Sequence, residues 1–174
     1  MGGAPGNEPG SAAPVAPQPA DPWRRLMCIA YEGVILFGVV FFFGYGFSAL
    51  TQFKGAPGAL RWAFQAFMFC VLAVYFTWFW SEGRRTLPMK TMGVRLVGPG
   101  DAAPGRARAF ARFTVAGGML ALAIGAASLV HPALALLALV PFSWALVDRQ
   151  RRALYDLVCG TRLLRDAPPA RAAT

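Results

Sequence analysis

Three stretches of this chain carry so little charge over such lengths that they read as membrane spans. Leu26–Leu50 runs for 25 residues with one formal charge, Glu32. Trp62–Trp80 has 19 residues and no charge, and Phe113–Val147 has 35 and none. As a helix the first stretch reaches about 37 Å, enough to cross a ~30 Å hydrocarbon core with some tilt. It does not read as a cleaved signal peptide, being too long, preceded by 25 residues and closed by no small-residue cleavage site. The second stretch has Trp62 and Phe64 at one end and Trp78, Phe79 and Trp80 at the other, the pattern of paired interfacial aromatic belts. The third, as one straight helix, would measure about 52 Å, far more than a bilayer needs. His131-Pro132 lies in its middle, and proline disfavours helix at the residue before it. The stretch therefore divides into spans at 113–130 and 133–147, the second short enough for a re-entrant hairpin to fit as well.

Composition agrees. Of 174 residues 56% are hydrophobic and 14% charged, where a soluble domain carries about a quarter charged residues. The net charge of +9 raises the question of nucleic acid. However, the basic residues sit in the gaps between apolar runs and form no single patch with interleaved aromatics, so none is expected as a partner. Two basic residues precede the first run, seven lie in Ser81–Arg112 and six follow Val147, whereas the 51–61 loop holds two. The positive-inside bias then places both termini and the 81–112 loop in the cytoplasm of a bacterial inner membrane, against anionic headgroups. The expected fold is an all-α polytopic membrane protein with four spans, near 26–50, 62–80, 113–130 and 133–147.

The segments outside the runs are less uniform. Residues 1–22 are rich in Pro, Ala and Gly and are expected to form a disordered tail, as are 166–174, which leaves 23–165 as the membrane domain. Val94–Val97, ended by Gly98-Pro99-Gly100-Asp101, reads as a short strand and turn, and Thr161–Leu164 as a second strand that pairs with it. Between them Asp148–Val158 reads as a short helix ended by Cys159-Gly160. Cys28, Cys70 and Cys159 are widely spaced, with no CxxC or Cys/His cluster, so no metal site or disulfide framework is expected. No nucleophile elbow, phosphate loop, dinucleotide fingerprint or HExxH is present, so neither a cofactor nor an enzymatic activity is expected.

Among polar residues, Glu32 is the one formal charge inside an apolar run. It lies six residues past Leu26, about 9 Å along the axis and nearer the cytoplasmic interface than the midplane. Such a group is costly there, and either serves a function or is neutralised by headgroups or an arginine of the same protein. Arg25 lies two turns earlier on nearly the same face. A direct pair would need a fully extended arginine, which makes a partner from another segment equally fitting. Arg152 and Asp156, four apart, form an i,i+4 pair in its weaker orientation if the segment is helical. His131, beside Pro132, belongs at the outer turn and has no neighbouring acid for a proton relay.

Taken in order, Arg24-Arg25 with Glu32, then Gly83-Arg84-Arg85-Thr86-Leu87-Pro88-Met89-Lys90-Thr91, Val94–Val97, Arg151-Arg152-Ala153-Leu154-Tyr155-Asp156 and Gly160-Thr161 resemble the RDD family. That family is named for an arginine and an aspartate at the first span and a second aspartate late in the chain. The resemblance covers residues 23 to 165. Here it maps the three eponymous positions onto Arg25, Glu32 and Asp156, with glutamate in place of the first aspartate. Tyr155 stands where the family often has histidine. The resemblance implies a bacterial membrane protein, some of whose relatives have been proposed as cation/proton antiporters. It also implies that the last motif folds against the first span, with Arg151 or Arg152 neutralising Glu32. Two functions follow as expectations. One is a structural or accessory membrane protein that associates with itself or with other membrane proteins. The alternative is a small secondary transporter or exchanger using Glu32 and Asp156.

Overall fold

A computed structural model describes residues 18–166. Of the expected tails, 1–22 and 166–174, residues 1–17 and 167–174 lie outside the described residues. Helix α1 (Pro22–Thr51) begins one residue after Asp21 with Pro22 in its first turn, where a missing N–H costs nothing. Helix α2 (Ala59–Trp80) returns, and α4 (Arg106–Leu129) packs beside it. Between these last two lie the short helix α3 (Leu87–Thr91), strand β1 (Val94–Val97) and a 3-10 turn at Pro99–Asp101.

After α4 the chain turns at His131, whose Nδ1 accepts the backbone N–H of Ala133 at 3.2 Å. It continues as a 3-10 helix over Pro132–Leu139 and then as α5 (Val140–Val147). Three helices, α1, α2 and α4, are long and apolar enough to cross a membrane, while Pro132–Val147 is shorter. Eight residues at about 2.0 Å and eight at about 1.5 Å give that segment a length of about 28 Å. It lies against α4 and ends beside helix α6 (Leu154–Val158), which itself touches the start of α4. The 113–147 stretch thus leaves and returns to one end of the bundle.

Burial in this bundle is inverted relative to a water-soluble protein. Phe37, Phe41 and Leu122 are 73%, 65% and 75% exposed, whereas Arg25, Arg112 and Asp156 are 5%, 2% and 0% exposed. A contiguous apolar exterior of this extent is tolerated when lipid is the solvent. The chain is an all-α polytopic membrane protein with a small two-stranded sheet.

That sheet sits at the end where α1 begins. Strand β1 pairs antiparallel with β2 (Arg162–Arg165), Val94 opposite Arg165 and Leu96 opposite Leu163. The second strand starts one residue later than expected, because the Thr161 N–H is held in the preceding turn by the Asp156 carbonyl at 2.8 Å. Residues 18–20, expected in the tail, extend the sheet. Ala20 donates to the Leu163 carbonyl at 3.0 Å, and Arg165 to that of Gln18 at 2.9 Å. At the other boundary Asp166 is also held, its N–H on the Gly93 carbonyl at 2.9 Å. Ala20, Cys28, Met89, Val94, Leu96 and Leu163 form the apolar core beneath, flanked by Trp80 and Met92.

The expected helix 148–158 is only half formed. The Asp148 carboxylate, at the end of α5, accepts from the Arg152 N–H at 2.9 Å and from its Nε at 3.1 Å. Arg151 takes a left-handed φ of 53°, so the chain there is a turn, and helix resumes only at Leu154. Gly160, at φ 62°, ends α6 in the left-handed conformation that glycine adopts without strain.

Candidate functional site

On α1, Arg25, Cys28 and Glu32 are buried on one face, with spacings of three and four residues. This polar stripe meets two separate sets of partners. At its start, the Arg25 Nη1 donates to Asp156 Oδ2 at 2.8 Å, and its Nη2 to the Arg151 carbonyl at 2.7 Å. From α4 the Arg112 Nε donates to Asp156 Oδ1, also at 2.8 Å. The Thr161 hydroxyl adds a bond to Oδ1 at 3.2 Å, and the Ala153 N–H one to Oδ2 at 3.3 Å. A carboxylate offers about four acceptor sites, and all four on Asp156 are filled. The Arg112 guanidinium also lies 4.0 Å over the Trp80 ring and 4.9 Å from that of Tyr155, contacts that favour a desolvated cation.

Asp156 reaches this position as the third residue of α6, where a carboxylate bonds back to the N–H at the helix start. Burial alone would raise its carboxyl, but the charges and N–H groups of Arg112 and Arg25 outweigh burial and hold it below the ordinary carboxylate range. The neighbouring Tyr155 phenol is pushed up by burial. Three segments distant in sequence are tied together at one carboxylate.

The second set surrounds Glu32, about 10 Å further along α1. The Tyr75 hydroxyl of α2 donates to Glu32 Oε1 at 2.6 Å, and the Thr86 hydroxyl to Oε2 at 2.7 Å. Thr86 is buried and is the N-cap of α3, accepting from the Met89 N–H at 3.4 Å. One side chain thus caps the helix and joins it to the first span. Arg24 reinforces this contact by donating to the Met92 carbonyl at 2.8 Å. Among the described residues, no arginine or lysine lies within salt-bridge distance of Glu32.

This geometry corrects several expectations. Neither Arg151 nor Arg152 neutralises Glu32. The Arg151 Nη1 pairs with Asp21 Oδ1 at 2.7 Å, and Arg152 pairs with Asp148. The Arg152–Asp156 pair does not form, because the turn at Arg151 takes the two residues off a common helical face. Arg25 does find a partner from another segment, and it is Asp156. Sequence reasoning missed Arg112, Tyr75, Trp80 and the roles of Thr86 and Thr161. Arg112 is the last charge before the third apolar run, but nothing local separates it from Arg106 and Arg108. Among the described residues no group of His, Cys, Asp and Glu is placed to hold a metal ion. Cys28 is buried and Cys70 exposed on α2, both as free thiols.

No curated protein and no solved structure matches the chain. Among protein families, the RDD family matches residues 19–160, a range that includes the Glu32 site and, of the Asp156 cluster, every member but Thr161. With most of its length matched and the motif residues Arg25 and Asp156 bonded to each other, the chain belongs to the RDD family.

Proposed function

We propose that this RDD membrane domain works as a structural or accessory component of a bacterial cytoplasmic membrane, with both termini in the cytoplasm and no enzymatic activity of its own. The observation that carries the reading is the saturation of Asp156. Its four acceptor sites are occupied by Arg25, Arg112, Thr161 and the Ala153 N–H. None is left for a substrate, a cation or a proton in transit. The orientation rests on the basic residues, which gather at the end of the bundle that holds residues 18–25, 81–112 and 148–166. Its partners are anionic lipid, further copies of the chain or other membrane proteins.

A second reading is favoured by one feature. Glu32 is a carboxylate inside a span whose partners are hydroxyls and not guanidiniums. That is the kind of group a small cation/proton exchanger needs, with Asp156 as its anchor and not as a second ion site. The two readings separate in liposomes. The structural reading expects no proton movement driven by a sodium or potassium gradient, and a Glu32→Gln variant that changes only folded yield. Coupled flux that vanishes in Glu32→Gln at unchanged yield would replace it with the exchanger. Cysteine labelling in intact cells tests orientation, and external labelling of a C-terminal cysteine would reverse it.

A further inference from the structure

Beside the Asp156 cluster a cavity of about 280 Å³ lies between the turn at Gly98–Gly100, the loop at Gln150–Arg152 and the start of β2 at Thr161-Arg162. Its walls are basic. Arg152 and Arg162 line it, each bonded to one carboxylate, Asp148 and Asp101. A third arginine, the exposed Arg108, lies outside this lining but next to it. A Cβ built on Gly98 would sit 3.1 Å from Nη1 of Arg108, so the guanidinium rests against the backbone of a lining residue. Gly98 has an ordinary φ of −97°, so what glycine supplies at this position is room for that guanidinium.

Arg108 and Arg112 are four apart on α4 and share a face. Arg112 is directed to Asp156, while Arg108, one turn nearer the end of the bundle, has no carboxylate within salt-bridge distance among the described residues. The two lining arginines are each answered by a carboxylate, so among the described residues the unpaired positive charge is that of Arg108, exposed beside the cavity against Gly98. The Gln150 amide on its wall can donate as well.

We propose that this cavity binds a phosphate-bearing anion, with Arg108 as its charge partner and Arg152, Arg162 and Gln150 supplying further donors. Guanidinium suits the task, since its planar fork matches two phosphate oxygens at once. Two sources present this chemistry at the membrane surface: the headgroup of an anionic phospholipid and a soluble phosphate compound. The inference holds whether the domain is structural or an exchanger, because it uses neither Glu32 nor the bonds to Asp156.

The test uses the full chain in two arms. In neutral detergent, inorganic phosphate is titrated against chloride at matched ionic strength. In nanodiscs, phosphatidylcholine alone is compared with phosphatidylcholine containing phosphatidylglycerol. The thermal midpoint is read in both arms, with retained phosphate or lipid per protein as a second readout. Stabilisation in the phosphate arm identifies a soluble ligand, and stabilisation only with phosphatidylglycerol identifies a lipid headgroup. In either case Arg108→Gln is expected to weaken half-saturation by about tenfold. Gly98→Ala, whose methyl need move the flexible guanidinium by only a few tenths of an ångström, should weaken it less than Arg108→Gln, and both variants should keep the unliganded midpoint. No specific gain in either arm overturns the proposal, as does an equal gain in Arg108→Gln.

Discussion

Asp156 and Glu32 are both carboxylates shielded from solvent near one end of the bundle, yet their partners differ in kind. Asp156 receives two guanidiniums at 2.8 Å, from α1 and α4. Glu32 receives two hydroxyls, at 2.6 and 2.7 Å, from α2 and the cap of α3. In the first site charge meets charge, and removing either side strands an ion in a place where it cannot be hydrated. In the second the carboxylate is held by dipoles, and changing it strands only hydroxyls that can turn to other acceptors. The contrast assigns the two motif positions different tasks. Asp156 closes the fold, and Glu32 registers the loop against the first span.

The harshest way to break the comparison is Asp156→Ala, which leaves Arg25 and Arg112 facing each other with no counter-charge. The expected cost is about 3–5 kcal/mol, seen as near loss of monodisperse protein in detergent. Wild-type yield would refute the closing role. Acid gives a reversible version of the same test. The folded Asp156 carboxyl titrates below its unfolded value of about 3.9. Its contribution is therefore complete above that value and is lost as pH falls through the lower folded one. Thermal midpoints should hold down to about pH 5 and drop below about pH 4, less steeply in Asp156→Asn. An equal acid loss in that variant would point instead to Glu82, which is exposed, and Asp148, which is partly buried.

Next in size, Thr86→Val removes both a donor to Glu32 and the α3 cap. A loss of about 1.5–3 kcal/mol is expected, with faster hydrogen exchange confined to residues 87–97. Exchange that rises equally at Leu154–Val158 would mean that the two sites are one unit. Glu32→Gln sharpens the comparison from the other side, because the amide keeps an acceptor for one hydroxyl. Its midpoint should fall by the equivalent of about 1 kcal/mol, and a collapse as deep as that of Asp156→Ala would erase the distinction. The mildest change is Arg152→Ala. Its partner Asp148 is partly buried but keeps the backbone N–H of residue 152 as a donor, and chemical denaturation should register no more than about 1 kcal/mol.

The long apolar runs were legible because hydrophobicity accumulates along the chain, so Leu26–Leu50 and Trp62–Trp80 fall inside α1 and α2 with only their ends extended. The strand pair was legible from the turn residues after Val97 and the glycine at position 160. What escaped was local competition. Asp148 captures Arg152 and stops a helix that composition alone favours, and Gln18–Ala20, in a Pro/Ala-rich stretch, are ordered only because the edge of β2 supplies hydrogen-bond partners.

The sequence by itself determined that this chain lives in lipid and which of its segments meet at the basic end, since both follow from sums over many residues that no single contact can overturn. Only the tertiary structure decided which of the neighbouring arginines answers which acid. Arg25, Arg112, Arg151 and Arg152 carry the same charge on the same flexible side chain. Their partners are therefore chosen by the few ångströms that packing allows between segments distant in the chain.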